Sequence, residues 1–187
     1  MRKLSLWLGL AALLAAGAWG ADAAVADDAD VAVELKYDNG TRSYFVSSMQ
    51  GRDYWVGNDF DITMISDFRA ITRVRLYSTP AWPNAKWDGF RVGIFAFTGG
   101  RPGSLIWGPE YVKPARAGYG WVNCPVRWTL PAANNAFVAA VELFYNYPNC
   151  DPYALDANPT FIGHSWSYSR GSWSPLLGAG GYRNLML

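Results

Sequence analysis

The feature that most constrains this chain is a period of two. Val31, Val33, Leu35 and Tyr37 alternate with Ala32, Glu34 and Lys36, which is the pattern of a strand with one wet face. Asn39-Gly40 follows, a strong hairpin-turn dipeptide. Further strands are predicted at 43–47, 54–65, 70–78, 90–97, 105–113, 119–124, 136–146, 160–169 and 183–187. Gly, Pro, Asn and Asp clusters separate them, among them 98–104 and 147–152. No segment sustains an i, i+3, i+4, i+7 apolar pattern over helical length. Even the Ala-rich stretch 132–143 places Phe137, Val141, Leu143 and Tyr145 on alternation. Short strands of this kind with regular turn signals predict an all-β chain, a single antiparallel β-sandwich of jelly-roll type.

The segment 1–26 is set apart from that domain. Arg2 and Lys3 precede an apolar run from Leu4 to Trp19, and small-residue sites follow at Ala21-Asp22-Ala23 and Ala24-Val25-Ala26. This order is that of a secretory signal peptide. The run is short against the ~20 residues that span a bilayer, so a retained anchor is the lesser alternative and no membrane span is expected after cleavage. The domain then covers 27–187, secreted, at the cell surface or in the periplasm. With Arg2, Lys3 and Asp22 removed, the formal charge falls from +1 to zero, which speaks against a nucleic-acid partner. In an oxidising compartment Cys124 and Cys150 are expected to pair. That bridge would close a loop of about 25 residues and contribute roughly 3 kcal/mol.

Alternation assigns faces. Val74 and Leu76 point to the core, as do Phe90, Val92, Ile94 and Ala96, and Phe137, Val141, Leu143 and Tyr145. The other side carries Ile71, Arg73, Arg75, Tyr77, Arg91, Phe95, Glu142 and Phe144. If the strands are neighbours, these residues form one surface of arginines, a carboxylate and large rings. Such a surface satisfies itself by stacking and pairing, or serves as a concave ligand face.

Four short motifs carry a resemblance: Tyr37-Asp-Asn-Gly-Thr41, Ile71-Thr-Arg-Val-Arg-Leu-Tyr77, Asn146-Tyr-Pro-Asn-Cys150 and Gly171-Ser-Trp-Ser174. Together the chain resembles β-sandwich modules of exported bacterial surface and accessory proteins, in which a "YDDGT"-like start precedes a jelly-roll domain. The resemblance implies fold and location, in the company of secreted peptidases, glycan-active enzymes and large surface proteins. The module is expected to stand alone, unlike modules linked to an enzyme, so a role as accessory to an attached catalytic domain is not expected.

The residues offer little for catalysis. His164 is the one imidazole, and Ser165 beside it points to the opposite face of a strand, a poor geometry for a nucleophile and its base. A structural histidine is expected, with a His164-Trp166-Tyr168 stacking ladder as the alternative. Glycosidase chemistry needs two facing carboxyls, and Glu110, Glu142, Asp151 and Asp156 are candidates that no spacing singles out. One His and two Cys fall short of a zinc site. Asn58, Asp59 and Asp61 are weak candidates for structural calcium, against Asx-turn hydrogen bonding. No other cofactor is expected. Asn39-Gly-Thr41 is also a glycosylation sequon, and Gly178-Ala-Gly-Gly181 lacks the helix a nucleotide loop requires.

What remains is the aromatic surplus of 10 Trp, 11 Tyr and 9 Phe. Trp82 and Trp87 fall in a Pro-rich loop, and Trp173 falls in a Gly/Ser/Pro-rich one beside Trp166 and Tyr168. Exposed rings stack on sugars or anchor proteins. The expectation is therefore a non-catalytic protein that binds a polysaccharide or cell-surface partner through Trp82, Trp87, Trp173, Trp166 and Tyr168. Arg73, Arg91 and Glu142 would add polar contacts. The alternatives are a structural subunit that self-associates through sheet edges to form a surface layer, filament or matrix, and an Asp/Glu-dependent hydrolase.

Overall fold

Strands begin where β-branched and aromatic residues alternate with polar ones, and the computed structural model pairs them in an ordered way. It describes residues 34–37, 42–46, 53–65, 70–78, 86, 89–113, 120–131, 134–146, 148–149, 152–156, 163–178, 181–182 and 184–187. The 1–26 segment, the Asn39-Gly40 turn, Trp82, Trp87, Cys150 and Asp151 lie outside them. Leu35–Leu187 forms one unit and Met1–Glu34 another. The strands are β1 (Arg42–Val46), β2 (Trp55–Asp61), β3 (Ala70–Ser78), β4 (Phe90–Thr98), β5 (Arg101–Val112) and β6 (Gly120–Thr129). They continue with β7 (Ala136–Leu143), β8 (Tyr153–Asp156), β9 (Ser165–Ser169), β10 (Ser172–Pro175), β11 (Leu177–Gly178) and β12 (Gly181–Tyr182).

The first eight strands nest. β4 pairs with β5, β3 with β6, β2 with β7 and β1 with β8, all antiparallel. This is a long hairpin folded over on itself, the wrapping of a jelly roll. One layer is a six-stranded sheet in the order β10-β9-β2-β7-β4-β5. The other holds β3–β6 and β1–β8, with β3 beside β8. Between them lies the core. Val56, Phe60, Phe90, Val92, Ile94, Phe137 and Val141 from the first layer meet Val74, Leu76, Val122, Val126, Trp128, Tyr153 and Leu155 from the second. Each such side chain contributes roughly 1.5–3 kcal/mol by leaving water.

Several expectations need correction. Glu34–Tyr37 belongs to no strand; instead Tyr37 stacks on Phe60 at 5.3 Å and on His164 at 4.3 Å. The stretch around Trp173, read as a loop, is strand β10, hydrogen-bonded to β9. β8 was hidden by its length of four residues and by Pro152 in front of it. β6 runs past Cys124 to Thr129 and carries Pro125, tolerated because β3 is its only partner among the described residues and the register shifts there. That shift, between Ile71 and Arg73, also turns Ile71 into the core, since a one-residue slip moves a side chain to the other face. Cys124 is a free, fully buried thiol, and Cys150, the other half of the expected bridge, lies outside the described residues. Cys124 alternates with Val122 and Val126 on the inner side of β6, its Sγ 4.0 Å from the Val122 carbonyl oxygen.

Candidate functional site: an aromatic groove on a curled sheet

The outer face of the six-stranded sheet is not a plain wet surface. Val138, Ala140 and Glu142 of β7 are buried although they point away from the core. Residue size explains why. Gly57, Ala140 and Gly93 lie side by side across β2, β7 and β4, leaving a shallow trough. The rings of Trp55 and Phe95 fill it, edge to face at 5.3 Å. A Cβ on Gly93 would fall 2.8 Å from Leu105, 3.2 Å from Phe95 and 3.3 Å from Trp55. The trough is thus made for those side chains.

The sheet curls over this face. Trp173 on β10 and Phe95 on β4 are separated by three strands, which in a flat sheet would put their backbones about 19 Å apart. Their ring centroids are 5.0 Å apart. Phe97 and Trp166 meet likewise at 6.1 Å, and the two edge strands β10 and β5 approach each other. Tyr168 completes the cluster, 5.3 Å from Trp173. Trp166, Tyr168 and Trp173 are only half-buried, so each keeps ring surface open to solvent.

Between the two edges runs a groove of about 430 Å³. One wall is Trp166, Tyr168, Gly171, Ser172 and Trp173 of the β9–β10 hairpin, and the other is Arg101, Pro102 and Gly103 of β5. Both walls are built on two-residue turns. Gly99 and Gly100 have φ of 62° and 76°, and Arg170 and Gly171 have 51° and 85°. Paired positive φ values match the right-handed strand twist in tight hairpins.

Trp166 is held from behind. Its indole Nε1–H donates to Asp59 Oδ1, while His164 Nδ1 lies 2.8 Å from Asp59 Oδ2. Asp59 is 2% exposed, so both its oxygens are used within the protein. Ser165, facing the other way, donates to Asn58 Oδ1 at 2.8 Å and accepts from the Leu185 amide, and the Asn58 amide donates to the Leu185 carbonyl. This network secures β9 to the chain near Leu185. His164 therefore acts as a structural partner of Asp59 in a pair that sequence spacing gave no means to find.

The predicted site residues are thus partly gathered and partly dispersed. Trp166, Tyr168 and Trp173 come together. Arg91 and Glu142 face each other on β4 and β7. Glu142, fully buried, accepts from Arg91 Nε and from the Asp53 amide, and Arg91 lies over the Trp55 ring. They brace the face and do not line the groove. Arg73 sits on β3 in the opposite layer, exposed, with Arg75 over Trp121 beside it, so the single arginine surface divides into two. Asn58 and Asp59 alternate across β2, and Asp61 accepts from the Thr63 amide and hydroxyl, so these three side chains have different partners. Glu142 and Asp156 belong to different layers. Among the described residues no three His, Cys, Asp or Glu side chains are grouped as metal ligands, and no helix is long and apolar enough to cross a membrane. Arg101 and Pro102 were missed, because 98–104 reads as a turn cluster although β5 begins at Arg101. No family model, curated protein or solved structure matches this chain.

Proposed function

We propose that this chain is an exported, non-catalytic β-sandwich that binds a glycan in the groove between β5 and the β9–β10 hairpin. The observation that carries the reading is the meeting of three half-buried rings, Trp166, Tyr168 and Trp173, on one wall of a solvent-open groove. Sugar rings present apolar C–H faces that stack on aromatics, and hydroxyls that need polar neighbours. Ser172 and the Tyr168 phenol supply the latter. The test is a panel of polysaccharides read by retention on affinity gels and by tryptophan fluorescence. At least one should bind, and Trp173→Leu, which keeps apolar volume but removes the ring, should weaken it about tenfold. Trp121→Leu, on the opposite layer, should leave binding unchanged. Absence of binding across the panel by a folded protein overturns the reading.

A second reading, self-association into a structural assembly, has one observation in its favour. β5 is a 12-residue edge strand with Leu105, Ile106 and Tyr111 at 39, 37 and 52% exposure, and long edges with apolar side chains invite pairing. A monomer whose size-exclusion volume does not change with concentration would exclude it.

A further inference from the structure

We infer that the groove is selective for an acidic glycan, one bearing carboxylate or sulfate groups, with Arg101 as the residue that reads the charge. The inference rests on the glycan reading and adds the substrate class to it. Arg101 and Ser172 stand on opposing walls, and no carboxylate lines the groove. On the same sheet, Asp59 is engaged by His164 and Trp166, and Asp61 by Thr63. Arg91, on the same sheet, is held by Glu142, whereas no described carboxylate pairs with the exposed Arg101. Its position is fixed by the Gly99-Gly100 turn next to it, and Thr98 pairs with Arg101 in the ladder. Arg101 lines the groove across from the rings, and a guanidinium is a planar fork that matches carboxylate and sulfate oxygens. Arg170, exposed at the turn of the facing hairpin, is next in sequence to Gly171 of the groove wall.

The test uses matched ligand pairs: a uronate oligosaccharide and the same oligosaccharide with its carboxyls reduced to alcohols, then a sulfated oligosaccharide and its desulfated form. Binding to the intact protein is measured by calorimetry at low and moderate salt. At least one acidic member should bind ten times more tightly than its neutral partner, with a ratio that shrinks as salt rises. R101Q should bring the ratio close to one by weakening the acidic form at least fivefold more than the neutral form, and W173L should weaken both forms alike. Equal binding of acidic and neutral forms, or an unchanged ratio in folded R101Q, overturns this inference and leaves glycan binding standing. If no member of any pair binds, both fall.

Discussion

Glu142 shows how a buried charge can be structural. Its two oxygens satisfy Arg91 and the amide of Asp53, a residue with φ of 64°. Glu142→Ala removes one half of an ion pair and leaves the other donors unmatched, which should cost about 3 kcal/mol. Urea unfolding would measure it, and a loss under 1 kcal/mol would contradict the pairing. Cys124 makes a second prediction at this scale. Burial pushes its thiol pKa up, and the thiolate is the reactive form, so the native protein should resist thiol reagents that label Cys124 once it is unfolded. Failure to label even after denaturation without reductant would mean a bridged cysteine. Tyr37 makes the third prediction at this scale, in alkali. Burial first, and then the carboxylates of Asp59 and Asp61, push its phenol up to about 12; burial also raises Tyr54. Below pH 10 both phenols are neutral, folded or unfolded. Between 10 and about 12 the unfolded chain gives up the Tyr37 proton while the folded protein keeps it, so stability falls as pH rises through that window. Tyr37→Phe should make the fall in urea midpoint shallower, and an unchanged slope would contradict the assignment.

Among the elements, the β9–β10 hairpin bears most directly on the site, and its turn is not ideal. Arg170 occupies a left-handed conformation that costs a non-glycine residue on the order of 1 kcal/mol. Arg170→Asn gives the Asn-Gly pair that such turns prefer and should raise stability by about 1 kcal/mol, seen as a higher melting temperature; a drop would contradict the turn geometry. Elements were legible in the sequence where alternation was long. The strand predicted at 70–78 coincides with β3, and β4 and β7 begin where expected, because side chains there divide between a wet or covered face and the core. β8 and β10 were not legible, since four residues give no period and Pro and Ser mimic a loop. The bulge that turns Ile71 inward has no local signal, because it is a property of the β3–β6 pair.

At the scale of the molecule, the nested pairing brings together what the sequence keeps apart. Aromatic excess could be read, and so could the shared face of Trp166 and Tyr168. The trough of Gly57, Ala140 and Gly93 could not, because it exists only once β2, β7 and β4 are in register, and with it comes the curl that sets Arg101 across from Trp173. This curled face, between its two edges, is the proposed binding site. The most direct test is an NMR titration of the labelled protein with an acidic oligosaccharide, following the indole N–H signals and backbone amides. Shifts should concentrate at the Trp166 and Trp173 indoles and at residues 101–103 and 166–173, with the Trp121 indole unmoved. Shifts confined to β3–β6, or an unchanged spectrum at saturating ligand, would contradict it.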